Sequence, residues 1–178
     1  MKKIAIAFFI CVLFFVSNKS LAQNYKIAFG LRGGWTTGFS GKYFIQDGQA
    51  IEGIFSSGWG WAGFQLTGLY EIHKPAFADK DVEGLFWFYG GGVHVSAGYS
   101  YDEWIPPHGP YIGYYDRHHY GAFGIDGIFG IEYKIAELPV TIGLDVKPFI
   151  EFSGYKYAPF NFWDAGLTIR YTMKNTLK

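Results

Sequence analysis

The chain has 178 residues, room for one domain, with Lys+Arg and Asp+Glu at 15 each. Charged residues make up 17%, below the ~25% of soluble domains, while Phe, Trp and Tyr reach 21% and glycines number 25, which argues against an ordinary soluble enzyme. Discounting Lys2, Lys3 and Lys19, which lie in the leader described next, leaves 12 basic groups against 15 acidic ones, formally −3. That balance lacks the basic field a nucleic-acid partner requires.

Lys2-Lys3 precede thirteen uninterrupted apolar residues, Ile4 to Val16, and then Ser17-Asn18-Lys19-Ser20-Leu21-Ala22. This is the charged, apolar and small-residue order of a secretory signal, with cleavage expected after Ala22 and a mature domain over 23–178. The apolar run is short of the ~20 residues a spanning helix needs, and no comparable run follows it. Cys11, the only cysteine, falls inside it, so the mature chain is expected to carry neither disulfides nor thiolate metal sites. Export without disulfides fits a bacterial envelope.

From Asn24 onward the hydrophobic pattern has period two, and turn signals divide it into eight segments. The first sets Tyr25, Ile27, Phe29 and Leu31 against Lys26, Ala28, Gly30 and Arg32. The second, Phe39 to Gln46, opposes Tyr43 and Ile45 to Lys42; the third, Ala50 to Ser56, opposes Ile51 and Phe55 to Glu52, with Ile54 intruding on the polar face. The fourth opposes Phe64, Leu66, Tyr70 and Ile72 to Gln65, Thr67 and Glu71. In the fifth, Leu85, Trp87, Tyr89, Val93, Val95 and Tyr99 face away from Gly90, Gly92, His94, Ser96 and Gly98. Phe86 and Phe88 break its rule, which calls for a bulge or a plugged end. The sixth alternates Phe123, Ile125, Phe129, Ile131 and Tyr133 with Gly124, Asp126, Gly130, Glu132 and Lys134. The seventh alternates Val140, Ile142, Leu144 and Val146 with Thr141, Gly143, Asp145 and Lys147. The eighth alternates Trp163, Ala165, Leu167, Ile169 and Tyr171 with Asp164, Gly166, Thr168 and Arg170.

Size decides which face looks inward. Eight strands close into a barrel whose interior is only just filled by side chains. The Trp, Tyr, Phe, Leu and Ile face is too bulky for that tube, whereas Gly, Ala, Ser and Thr interleaved with charges fit. A soluble sandwich or barrel would reverse this distribution. The expected fold is therefore an all-β, eight-stranded antiparallel up-and-down barrel of the transmembrane kind, with its apolar face toward lipid. Closure also pairs every backbone N–H and C=O, as a hydrocarbon medium demands.

The inward face brings Lys26, Arg32, Lys42, Lys134, Lys147 and Arg170 together with Glu52, Glu71, Asp126, Glu132, Asp145, Glu151 and Asp164. Desolvated charges are costly alone, so a paired lumenal network is expected, plugging the tube rather than lining a wide pore. Aromatics gather at segment ends: Tyr25, Tyr70, Trp87, Tyr133 and Tyr171 at one expected interface, Trp35, Trp59, Tyr99, Tyr120 and Trp163 at the other. Connections then alternate between sides. Thr36 to Gly38, Ser57 to Gly60, Ser100 to His119 and Gly154 to Asn161 fall outside; Asp47-Gly48, Lys74 to Gly84 and Ala136 to Pro139 fall inside. Pro148 has no edge to occupy in a closed barrel and is expected near the outer rim or at a bulge.

The Ser100–His119 loop is the one segment with site-like character. Tyr101, Trp104, Tyr111, Tyr114 and Tyr115, stiffened by Pro106, Pro107 and Pro110, make a rigid aromatic surface suited to contact with a partner. Resting on lipid headgroups would suit the same residues. Ser100, Asp116, His118 and His119 could serve acyl transfer or a metal, but adjacent histidines on a strand point to opposite faces and no companion ligand spacing appears. No catalytic, cofactor or metal site is therefore expected, and His94 is assigned to the lumenal network. Gly58-Trp59-Gly60-Trp61-Ala62-Gly63 matches G-x-G-x-x-G as a string but lacks the strand–turn–helix context of a pyrophosphate site.

The eight-strand layout resembles the small outer-membrane β-barrel proteins of the OmpA/OmpX type over essentially the whole mature chain. Within Asp164-Ala165-Gly166-Leu167-Thr168-Ile169-Arg170-Tyr171, the residues Asp164, Gly166, Ile169 and Tyr171 match that family's assembly signal. The resemblance implies outer-membrane lipid as surroundings, the barrel-assembly machinery as a partner during insertion, and a barrel without a peptidoglycan-binding domain. The expected role is non-enzymatic display of surface loops; a lipid-modifying enzyme with a rim site and a narrow channel remain as alternatives, since fold alone does not choose among them.

Overall fold

The computed structural model describes residues 25–58, 62–76, 84–105, 114–153, 160–161 and 164–173, with backbone alone at 58, 62, 99–105, 114–120, 153 and 160–161. Ten strands run in chain order: β1 Ile27–Gly34, β2 Thr36–Gln46, β3 Gln49–Gly58, β4 Ala62–Pro75, β5 Leu85–Ile105, β6 Tyr114–Lys134, β7 Val140–Val146, β8 Phe149–Ser153, β9 Phe160–Asn161 and β10 Ala165–Met173. Each of β1 to β6 pairs antiparallel with the next, β6 pairs with both β7 and β8, and β10 pairs with β7 and β1. Taking β7 with β8 and β9 with β10 as two halves of one stave each, this is a closed eight-stave, up-and-down barrel. No helix occurs among the described residues.

Period two is visible in the exposure of each stave. Along β10 every second residue is exposed, from Ala165 to Met173, and the intervening ones are buried. The two faces carry opposite chemistry. Phe29, Leu31, Phe39, Phe55, Leu66, Val93, Phe123, Phe129, Leu144 and Leu167 are exposed, while Arg32, Lys42, Glu52, Glu71, Glu132, Lys147, Asp164 and Arg170 are buried.

Two tight connections show how the sequence sets the staves. Asp47-Gly48 closes β2 on β3 with Gly48 at φ 73°, the left-handed region open to glycine, and the register slips between Phe44 and Gln46. Between β1 and β2 the pairing ends at Arg32↔Gly38, so the bend lies around Trp35 and Thr36 already belongs to a strand.

Pro148 falls mid-stave, between β7 and β8, and not at the rim. Among the described residues its stave pairs with the β9–β10 stave up to Val146↔Ala165 and again at Phe149↔Asn161, and Pro148 lies in the interval. The register against β6 is unbroken there, with Gly127 N–H donating to the Pro148 carbonyl at 2.8 Å.

The long outer segment corrects an expectation. Ser100 to His119 was expected to be a loop, yet β5 and β6 continue as an antiparallel ribbon, paired up to Ile105↔Tyr114 with one irregularity between Tyr101 and Glu103. Among the described residues, pairing with β4 ends at Tyr99 and pairing with β8 at Ala122, and the β5–β6 ribbon continues about 20 Å past those positions at ~3.3 Å per residue. Pro106, Pro107 and Pro110 lie in 106–113, outside the described residues, directly after the strand stops.

Candidate functional site

The buried charged side chains of the lumen form two networks. The lower one, toward the Asp47-Gly48 end, is built on Lys42 of β2. Its Nζ lies 3.2 Å from Glu52, 2.8 Å from Glu71 and 3.3 Å from Glu132, on β3, β4 and β6. Arg170 of β10 reaches over to the same carboxylates, pairing with Glu52 and, at 3.0 Å, with Glu132. Its Nε donates to Ser40 Oγ at 2.7 Å, and Ser40 donates to Glu52 at 2.6 Å. Tyr25 donates its phenol O–H to Glu132, and His73 Nε2 sits 2.8 Å from Glu71.

The upper network joins Arg32 of β1 to Asp145 at 2.7 Å and Asp164 at 3.0 Å. Lys147 bridges Asp164 at 3.0 Å and Asp126 at 2.9 Å. His94 extends the chain, with Nδ1 2.7 Å from Asp126 and Nε2 3.3 Å from Glu151. Thr36 adds its hydroxyl to Asp164 at 3.0 Å. Bulky side chains fit because small residues stand beside them. A Cβ at Gly166 would lie 2.5 Å from Arg32 Cζ, and one at Gly124 only 2.3 Å from His94 Cε1.

Ile54, Leu69, Phe88 and Ile128, one from each of β3 to β6, make a buried apolar cluster on the wall between these networks. The pairing row runs from Glu52 to Leu69, on to Gly92 and then Asp126, so Leu69 separates a lower from an upper carboxylate. The expectation for Phe86 and Phe88 resolves as a plug and not a bulge. Both are buried inward, and β5 keeps its register with β4 and β6 through this stretch. Phe88 stacks on His73 at 4.9 Å and lies under Lys42 Nζ at 4.5 Å.

Of the thirteen charged residues expected on the lumenal face, eleven meet in these two networks: Arg32, Lys42, Glu52, Glu71, Asp126, Glu132, Asp145, Lys147, Glu151, Asp164 and Arg170. Lys26 and Lys134 do not. Lys26 Nζ stands 5.4 Å over the Tyr43 ring, and Lys134 Nζ donates to the Ile135 and Leu138 carbonyls at the inner turn. Tyr25 is the matching correction on the other face. A bend at Lys26 reverses the alternation just before β1, so Tyr25 is buried against Phe44 and Lys26 takes the outward place.

Tyr70, Tyr133 and Tyr171 are exposed near the turn end and Trp35 at the opposite end, while Trp87 is half-buried. Trp59 and Trp163 lie outside the described residues, and Tyr99 and Tyr120 are described by backbone alone. Of the loop aromatics, Trp104 occupies the register position opposite Tyr115, Tyr114 stands opposite Ile105, Tyr101 opposite Arg117, and Tyr111 is outside the described residues. Ser100 pairs with His118 and Tyr99 with His119 in the same ribbon. Of the residues expected to form an assembly signal, Asp164 directly precedes β10 and Gly166, Ile169 and Tyr171 lie along it. Asp164 is itself a hub of the upper network and Gly166 the gap that admits Arg32.

Sequence reading missed Tyr25, Phe44, His73, Leu69 and Ile128 as lumenal residues. Period two could have found the last four, since each keeps the parity of an inward neighbour. Among the described residues no group of three or more His, Cys, Asp or Glu is arranged to hold a metal ion. Comparison with models of known protein families and with curated proteins returns no match.

Proposed function

We propose that this chain is an integral outer-membrane β-barrel similar to the OmpA/OmpX type, with a non-enzymatic role: a closed transmembrane anchor that presents its projecting ribbon to a surface partner. One observation carries the reading. The outside of the barrel exposes Phe, Leu, Ile and Val on all eight staves while Arg, Lys, Glu and Asp are buried within. Soluble monomers rarely expose contiguous apolar patches beyond a few hundred Å², whereas a bilayer takes such a surface as its solvated face. Exposed Tyr and Trp near the stave ends suit the headgroup level.

The rest of the reading follows the sequence. Residues 1–22 act as a removed leader, the barrel-assembly machinery engages β10, and outer-membrane lipid of a Gram-negative envelope surrounds the apolar band. The ribbon holding Tyr101, Trp104, Tyr114 and Tyr115, with Tyr111 beyond it, is the surface offered to a partner. Paired charges and the Ile54–Leu69–Phe88–Ile128 cluster in the lumen favour anchoring and display over conduction.

Heat-modifiable migration tests the proposal. Protein from the membrane fraction, run on a denaturing gel unboiled and boiled, is expected to give two different mobilities. Mature protein that stays monomeric and dissolved in detergent-free buffer would refute it.

A further inference from the structure

Two of the chain's three arginines, Arg32 and Arg170, stand on β1 and β10, the first and last strands of the barrel. The pairing of these strands, from Ile27↔Met173 to Gly34↔Gly166, is the seam that closes the wall. Among the described residues every other stave pairing joins staves consecutive in the chain, which stay tethered by their connection if they part. The seam has no such tether, and strands at the chain ends are where local opening is expected unless something ties them down.

Both arginines are buried, and they cross the seam in opposite directions. Arg170 stands opposite Gly30 on β1, and Gly30 stands opposite Ser40 on β2. With no side chain at Gly30 to obstruct it, Arg170 passes over β1, donates Nε–H to Ser40 Oγ at 2.7 Å and pairs with Glu52 on β3. Arg32 makes the reverse crossing over Gly166 of β10, which stands opposite Asp145 on β7. A Cβ at Gly166 would come within 2.5 Å of Arg32 Cζ; in its absence the guanidinium reaches Asp145 at 2.7 Å and Asp164, just ahead of β10, at 3.0 Å. Each guanidinium also keeps a partner on its own side of the seam. Arg170 holds Glu132 of β6 at 3.0 Å, and Arg32 donates to the Thr36 carbonyl of β2 at 3.0 Å. The planar fork of arginine suits such a tie, because its donors serve several partners in fixed directions at once.

We propose that Arg32 and Arg170 form a reciprocal clasp over the β1–β10 seam, holding the first and last strands together so that they part only when the whole barrel unfolds. Opening the seam alone would strip Arg170 of Ser40 and Glu52, and Arg32 of Asp145 and Asp164, together with the backbone pairing. Gly30 and Gly166 are the gaps through which the two arms pass. Lys147 is the contrast: its partners Asp126 and Asp164 both lie on the β6–β10 side, so it ties nothing across the seam. Nothing in the clasp depends on what surrounds the barrel.

Hydrogen exchange of the refolded barrel, followed by NMR, tests it, with the amides that bridge β1 and β10 read against those that bridge β4 and β5. In the wild type both sets are expected to exchange at the same slow rate, that of whole-barrel unfolding. Arg32→Gln and Arg170→Gln are each expected to speed exchange at the seam roughly 10–100-fold more than at β4–β5, the effect of losing hydrogen bonds to a charged group. Lys147→Gln removes a buried cation from one side only and is expected to keep the two sets together. Wild-type seam amides exchanging well ahead of the β4–β5 set would overturn the proposal. So would arginine variants that speed both sets alike, or a Lys147→Gln barrel that opens at the seam as they do. Should neither arginine variant fold, Ser40→Ala decides, because it keeps every charge: faster seam exchange relative to β4–β5 upholds the clasp, and an unchanged ratio overturns it.

Discussion

Leu144→Arg places a charge on the outward face of β7, where Leu144 is 53% exposed and paired with Leu167 and Ile131, themselves exposed. Leu144 lies four residues above Val140 at the base of its stave. At ~3.3 Å per residue and a tilt near 45°, that height is about 9 Å, close to the middle of a ~25 Å apolar band. Ile142, two residues lower, stands only about 5 Å up by the same geometry. Arginine costs ~2–4 kcal/mol at the midplane and ~0–1 near the interfaces, so Leu144→Arg should cost ~2–4 kcal/mol and Ile142→Arg less. Leu138 supplies the control, because it is equally exposed at 53% but sits in the inner turn. Leu138→Arg should stay within about 0.5 kcal/mol, as surface substitutions usually do. Reversible denaturant unfolding in phospholipid vesicles, followed by tryptophan fluorescence, gives all three values. Equal costs at 144 and 138 would refute the lipid-facing assignment.

Three further outcomes follow from the lumen. Asp164→Ala removes the shared partner of Arg32 and Lys147 and leaves buried charge behind; in the same vesicle assay it should cost ~3–5 kcal/mol. Gly166→Ala should displace the Arg32 guanidinium and break its pairs, and the cost should shrink in an Arg32→Ala background, a coupling of ~0.5–3 kcal/mol in a double-mutant cycle. Reconstituted into planar bilayers, the wild-type barrel should be electrically silent, and steady conductance would return the narrow-channel reading.

The staves were legible because alternation is a local signal: a residue's face follows from counting by twos. It failed where the backbone changes parity or where composition hides it. The bend at Lys26 sends Tyr25 inward, and nothing in the Tyr25-Lys26-Ile27 string announces that bend. Ile54 and Phe88 keep lumenal parity but look like errors when every inward residue is expected to be polar. Charge pairing was legible only as near-balance. Which carboxylate Arg170 reaches depends on barrel stagger, and it passes beyond β1 to Ser40 and Glu52 on β2 and β3. The β5–β6 ribbon was unreadable for a simpler reason. Its aromatic, Asp, His and Pro content resembles a loop, while its pairing comes from the continuation of two staves already in register.

The most direct test of the central claim is a nitroxide scan along β10 from Ala165 to Met173 in vesicles, measuring collisions with oxygen and with a water-soluble nickel complex. Labels at 167 and 169 should be far more accessible to oxygen than to nickel, and labels at 168 and 172 accessible to neither. Nickel access equal to or above oxygen access at 167 and 169 would place that face in water and contradict the account.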